Sequence, residues 1–415
     1  MAATYERAGG RAGFSGLEGV FAALCLVQCG EPLIAAIYQA QGADDVPGWT
    51  KALWLPVYAF LGCVAWRDRR DAFGALLRTP LLAALALLAV CSALWSIDAG
   101  ASARRGVSLM LSMGLGFYLA WRCDWARMLS ILALAFAILI AGSFATALIA
   151  PSVGVMRVEH PGAWMGLWTH KNTLGQIMAL GAPICAGAAM LNPARRRIWI
   201  CCALGAGALV LLSTSKTSLL AMALGLGVLA FGWAVRRGPI FALAAGFAAF
   251  AGFVVIGGAF WLAPDLIVGA LGRDLTFTGR TDIWAALNDA FNARPWLGYG
   301  YAAFWLDDAG PAFWVREAVN WEVASAHSGW REIALGLGRA GAALMALQAG
   351  ATFLRAARGL GDARQAAWPL AYFAAFFFIA MSESILLMAD NLLWVIYTAL
   401  AVRLALEGAA KETPA

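Results

Sequence analysis

Apolar runs long enough to cross a bilayer recur along almost the whole chain, near 17–40, 51–66, 80–96, 107–121, 128–150, 173–192, 198–214, 217–235, 239–262, 330–354, 368–388 and 391–406. A hydrocarbon core about 30 Å thick takes about 20 apolar residues of helix, and in lipid a helix satisfies every backbone N–H and C=O within its own segment. The expected fold is therefore all-α, a polytopic integral membrane protein with about 12 transmembrane helices. With 62% hydrophobic and 13% charged residues, little of the chain is left for a soluble domain.

Arginine clusters set the orientation. Arg67-Asp68-Arg69-Arg70, Arg122 with Arg127, Arg195-Arg196-Arg197, Arg236-Arg237, and Arg355, Arg358 and Arg364 mark every second connection. By the positive-inside rule these connections face the cytoplasm, as do the N-terminus with Arg7 and Arg11 and the C-terminus. Topology thus accounts for the net charge of +6, which gives no support to nucleic-acid binding. The first apolar run lacks a cleavage signal and reads as a retained span. None of the eight cysteines lies in a long polar loop, so no disulfide framework is expected.

Three parts follow from this frame. Residues 1–262 carry transmembrane helices 1–9 with short loops, 263–329 form one large periplasmic loop with short amphipathic helices, and 330–415 carry helices 10–12 and a cytoplasmic tail. The outside connections are Gln41–Thr50, Ser96–Gly106, Pro151–Asn172, the Ser213–Lys216 corner and Ala263–Gly329. Here the rule no longer explains the basic residues. Arg104, Arg105, Arg157, Lys171, Lys216, Arg273, Arg280, Arg294, Arg316 and Arg331 lie where Lys and Arg should be scarce, so each needs a partner or a ligand.

Two of these cations stand at span ends. Lys216 sits among five hydroxyl residues in Ser213-Thr214-Ser215-Lys216-Thr217-Ser218, a composition that suits phosphate or equally a snorkelling lysine at a tight turn. In Thr278-Gly279-Arg280-Thr281-Asp282-Ile283-Trp284, Gly279 marks a turn and Thr281 or Asp282 can cap a helix with an apolar face of Ile283, Leu287, Ala290 and Phe291. Arg294-Pro295 ends that helix. Arg280 at its start can grip a phosphate with two N–H groups, or pair with Asp282 or Asp274.

The chain has three histidines. His327, in Ser325-Ala326-His327-Ser328-Gly329-Trp330-Arg331-Glu332, is placed where the long loop re-enters the membrane, one helical turn from Arg331. Its imidazole can accept a hydroxyl proton. His170 ends an aromatic outside loop in Trp168-Thr169-His170-Lys171-Asn172, and His160, beside Glu159, reads as a loop residue in an ion pair. Glu383 and Asp390-Asn391 lie in or beside the last two spans, where an ionisable group is costly. Glu383 can serve an active-site cation or a sugar hydroxyl, or make a buried helix–helix hydrogen bond. Two acidic pairs, Asp44-Asp45 and Asp307-Asp308, lack an obvious third hard ligand, so metal dependence is not expected.

Taken in order, Gly166-Leu167-Trp168-Thr169-His170-Lys171-Asn172, the Ser-Thr-Ser-Lys-Thr corner, Gly279-Arg280-Thr281-Asp282-Ile283-Trp284, Arg294-Pro295-Trp296-Leu297-Gly298-Tyr299-Gly300 and Ala326-His327-Ser328-Gly329 resemble the O-antigen ligase and polymerase superfamily. The His-Lys-Asn form and the Ser-Lys-Thr corner are most similar to its exopolysaccharide polymerase branch. The resemblance implies a GT-C-like, inverting, metal-independent glycosyltransferase of the bacterial inner membrane with its site facing the periplasm. Its donor would be a glycan on undecaprenyl pyrophosphate and its acceptor a glycan hydroxyl. Membrane lipids and a chain-length regulator would be its partners, with no cofactor and no metal.

On that basis His327 and Arg280 are the catalytic candidates, with Lys216, His170, Lys171, Asn172, Arg157, Arg104, Arg105, Arg331 and Glu383 as substrate-binding candidates. The superfamily often has Arg where Lys216 stands, and lysine lacks the two-pronged geometry. Two alternatives remain in play. One is a ligase that moves a finished glycan onto lipid A core or a protein; the other is a polysaccharide or lipid transporter, although the hydropathy shows no clear pair of repeated broken helices.

Overall fold

A computed structural model describes residues 16–41, 48–262, 280–306, 310–320 and 322–412. Among these the chain is helical throughout, apart from turns, irregular connections and one isolated bridge between Val155 and Trp164. Four helices among the described residues are long and apolar enough to cross a membrane: Trp125–Ile149, Lys171–Leu191, Lys216–Arg237 and Gly329–Arg358. The pair Arg69–Leu77 and Pro80–Leu94, bent by 93°, adds a fifth candidate if it is one span. The acidic pairs Asp44-Asp45 and Asp307-Asp308, with Arg273, Asp274 and Gly279, lie outside the described residues.

Several apolar runs are not the single helices expected of them. The run 17–40 divides into Gly16–Cys29 and Pro32–Gln41. Pro32 disfavours helical geometry at the residue before it, and Glu31 adopts a left-handed φ of 56°. Trp168 Nε1 fastens the break by donating to Gly30 O at 2.6 Å. The run 368–388 stops being helical at Ala380, and a non-helical linker leads to the last helix, Leu392–Glu412. Asn391 starts that helix by accepting from the backbone N–H groups of Leu393 and Trp394 at 3.0 and 3.1 Å.

A third break lies inside Gly329–Arg358, at Gly338 with φ 65°. Here the loop segment Pro295–Gly300 replaces helical hydrogen bonds. Tyr299 N donates to Leu335 O at 2.8 Å and Gly300 N to Gly336 O at 3.0 Å, while Arg339 N and Ala340 N donate to Pro295 O and Trp296 O at 2.8 and 3.2 Å. A Cβ at Gly338 would lie 2.2 Å from the Trp296 carbonyl carbon, so only glycine lets the two backbones meet. Broken runs therefore occur at three places among the described residues. A proline marks the first, a non-helical linker the second and a docked loop the third, so they are not copies of one repeat.

The main core forms around Leu392–Glu412, whose Trp394 and Tyr397 are fully buried against Tyr372 and Phe376. At its edge Glu18 accepts from Arg67 at 3.0 Å, Tyr118 at 3.0 Å and Arg122 at 3.3 Å, so Arg67 and Arg122 hold helices together. The polar insert builds a second, smaller core. Helices Arg280–Ala293 and Pro311–Val319 close over Ile283, Leu287, Ala290, Phe304, Val315 and Val323. The first of these helices runs over the span read from the sequence, with Ile283, Leu287 and Ala290 buried and Phe291 packed at their edge. Thr281 and Asp282 lie inside its first turn rather than at its cap.

Candidate functional site

Arg280 opens its helix with a nearly buried side chain, and its Nη2 lies 2.8 Å from Glu383 Oε1. Glu383 comes from the non-helical linker after Ala380, which frees its carboxylate from helix geometry. The positive end of the helix adds to the guanidinium charge. His327 belongs to the same electrostatic neighbourhood: burial first, then the charge of Arg280, then His170, push its imidazole down to about 4.

The turn that carries His327 is fixed from two sides. Trp284 Nε1, one turn along the Arg280 helix, donates to Ala326 O at 2.9 Å. Glu332 Oε1 accepts the Ala326 N–H at 2.5 Å. The Glu332 carboxylate also takes Trp305 Nε1 at 3.1 Å and Ser384 Oγ at 3.2 Å. One buried carboxylate thus ties together the His327 turn, the polar insert and the residue next to Glu383. Sequence reasoning passed over Glu332, because its role depends on a turn that no periodicity announces. His327 has φ 46° and precedes the helix, so the expected one-turn relation to Arg331 does not hold. Arg331 lies instead over the Trp284 ring, 4.0 Å from its centroid.

His327 and Glu383 face a cavity of about 450 Å³. Glu31, also missed, lines it from the break at Gly30, together with Thr169 and Gln176. The signal for Glu31 was present: a carboxylate followed by proline inside an apolar run.

The outer histidine loop forms an adjoining group. His170 Nδ1 accepts from Asn172 N at 3.1 Å and so caps the helix Lys171–Leu191. Its Nε2 lies 3.7 Å from Glu159 Oε2, so His170, and not only the adjacent His160, stands beside that carboxylate. Burial holds His170 below the usual imidazole range, against the pull of Glu159. Glu159, His160 and His170 are close enough to share a cation, with ligand atoms within 4.8 Å of one another. Yet Nδ1 of His170 is spent on a backbone N–H, which leaves the hydrogen on Nε2; ligation through Nε2 would break the cap.

Lys171 Nζ donates to Thr214 Oγ1 at 3.4 Å, which joins this helix start to the Ser213–Lys216 corner. Gly175 packs there so closely that a Cβ would meet Ser218 Oγ at 2.6 Å. Lys216 is the first residue of the next long helix. The remaining outer cations divide. Arg294 bonds Trp95 O at 3.3 Å, and Arg316 bonds Trp305 O at 2.8 Å, so both brace the insert. Arg104 and Arg157 are exposed, and Arg105 bonds Ala302 O.

Residues 200–346 match the family model described as O-antigen ligase. The resemblance is to the O-antigen ligase family. Its matched region begins before the Ser213–Lys216 corner and ends beyond Glu332, so it encloses Arg280 and His327 but leaves out His170 and Glu383. A curated relative, "Exopolysaccharide production protein ExoQ" of Rhizobium meliloti (strain 1021), is 34% identical over 152 residues, which are 35% of this chain and 34% of the relative. The match thus spans about a third of that relative's length. Within the O-antigen ligase and polymerase family, this relative points to the exopolysaccharide branch.

Proposed function

We propose that the chain is an inverting, metal-independent membrane glycosyltransferase that polymerises lipid-linked repeat units of a surface polysaccharide or exopolysaccharide. In this reading it spans the bacterial inner membrane about twelve times, with the insert 263–329 on the periplasmic side. The pairing of Arg280 with Glu383, whose carboxylate lines one cavity together with His327, carries the proposal. The acceptor hydroxyl attacks the anomeric carbon, the bond to the pyrophosphate oxygen breaks, and undecaprenyl pyrophosphate leaves with the electron pair. Arg280, with Lys216 as second candidate, offsets the charge that grows on the leaving group. His327 accepts a hydrogen bond from the attacking hydroxyl and then its proton. The family description also supports ligation of a finished glycan to lipid A core. A deletion strain separates the two: polymerisation predicts single repeats, ligation predicts free polymer.

His327→Ala is expected to lose transfer while retaining donor binding, since the phosphate contacts lie on Arg280 and Lys216. His327→Gln keeps a hydrogen-bonding group without basicity. Activity in Gln but not Ala would limit His327 to placing the acceptor. Full activity in both, measured on purified protein with a lipid-linked donor, would remove it from the mechanism.

The depressed imidazole gives a second expectation. A group whose affinity for protons is lowered stays neutral until the pH falls to its own value, here about 4. The kcat/KM for transfer, which reports the free enzyme, should therefore stay level down to about pH 5 and drop only below it. An acid limb at about 6.5, the ordinary imidazole value, would show that neither burial nor Arg280 lowers the proton affinity of His327.

A further inference from the structure

A transferase has to hold two substrates that meet at one point. The cavity of about 450 Å³ that His327 and Glu383 line has a neighbour of about 380 Å³, and Ser325, Ser384 and Met388 line both. The shared wall is therefore built from the two segments that carry His327 and Glu383. Beyond it the linings differ in character. The first cavity is flanked by Ile34, Ile177, Leu392 and Leu393, apolar side chains that suit a polyprenyl tail. The second presents Trp305, Tyr301 and the Arg105 guanidinium.

Aromatic faces with polar edges are the usual make-up of a carbohydrate subsite. This one is rigidly framed. Tyr301 N donates to Ser92 Oγ at 2.8 Å, and Ser102 Oγ donates to Tyr301 O at 2.9 Å, which pins the loop to two helices. Among the described lining residues Arg105 is the one cation and Glu332 the one anion. Glu332 turns its oxygens to Ala326 N–H, Trp305 Nε1 and Ser384 Oγ, which leaves the Arg105 guanidinium as the charged lining group with N–H groups to offer a ligand. One of its five N–H groups goes to Ala302 O, which parks the exposed guanidinium at the rim.

We propose that this second cavity is the subsite for the acceptor's sugar, and that Arg105 there recognises a carboxylate on that sugar. The assignment rests on the transferase reading above and names its acceptor class, an acidic glycan.

The test is binding of two probes to the purified full-length chain in nanodiscs: a disaccharide carrying one glucuronic acid and its neutral glucose counterpart. The unaltered chain should prefer the acidic probe about tenfold, the scale of one charge-assisted hydrogen bond. Arg105→Gln should erase that preference and Arg105→Lys should restore part of it. Ala324→Trp, which adds bulk from an exposed lining position without touching either core, should weaken both probes. A preference that survives Arg105→Gln, or unchanged binding in Ala324→Trp, would overturn the subsite. If the probes behave as expected but the unaltered chain transfers no glycan from a polyprenyl pyrophosphate donor, the subsite stands and the transferase reading falls.

Discussion

Arg280→Ala is expected to lower glycan transfer by roughly two to three orders of magnitude, the loss of about 3–4 kcal/mol that follows when one preorganised charge-stabilising donor is removed. The geometry makes the loss more than that of a single contact. Glu383, 2.8 Å away, loses its guanidinium partner beside the place where a second anion must arrive. The double variant Arg280→Ala with Glu383→Gln should therefore recover part of what the single one loses. Arg280→Lys keeps the charge but not the planar fork and should fall between. Transfer by purified protein, with membrane insertion checked separately, measures all three. Near-normal polymer from Arg280→Ala would move the pyrophosphate site to Lys216 or the exposed Arg157, Arg104 and Arg105.

The second large effect belongs to Glu332. Replacing it with alanine strips the acceptor from three donors at once: Ala326 N–H, Trp305 Nε1 and Ser384 Oγ. Each of these part-buried donors left unmatched costs up to about 1–3 kcal/mol, and the loosened turn carries His327. Glu332→Ala is thus expected to destabilise the fold by about 3–5 kcal/mol and to abolish transfer. Glu332→Gln retains one acceptor oxygen and should be milder on both counts. Thermal unfolding in nanodiscs, followed with limited proteolysis of the insert, reads the first effect. Wild-type unfolding and transfer in Glu332→Ala would show that the turn is held by other means.

What the sequence made legible depended on period and punctuation. Apolar length and arginine spacing identified a helical membrane chain. A glycine, an arginine and four apolar positions located the helix Arg280–Ala293. The misses share a physical cause, which is backbone that leaves the helix inside an apolar run. Periodicity assumes continuity, so it placed His327 one turn from Arg331, where the structure turns the chain at His327 and sends Glu332 inward. Arg331 and Arg316 looked like ligand-seeking cations because the partners that satisfy them, the Trp284 ring and the Trp305 carbonyl, are set by tertiary packing. The Pro295–Gly300 motif could be noticed but not interpreted, since its use is to fill a helix break at Gly338 more than thirty-five residues on.

One consequence lies in the permanent charge that shares a neighbourhood with His327. Before donor binds, burial and then the charge of Arg280 keep that imidazole a poor proton acceptor. A seated pyrophosphate would cancel the charge and raise the imidazole's appetite for a proton at the moment when bond breaking needs it. The order of events then follows from electrostatics alone. Acceptor glycan that arrives before the donor meets only a weak base, so on the proposed mechanism proton transfer waits for the lipid-linked donor. The leaving group acts as its own timer.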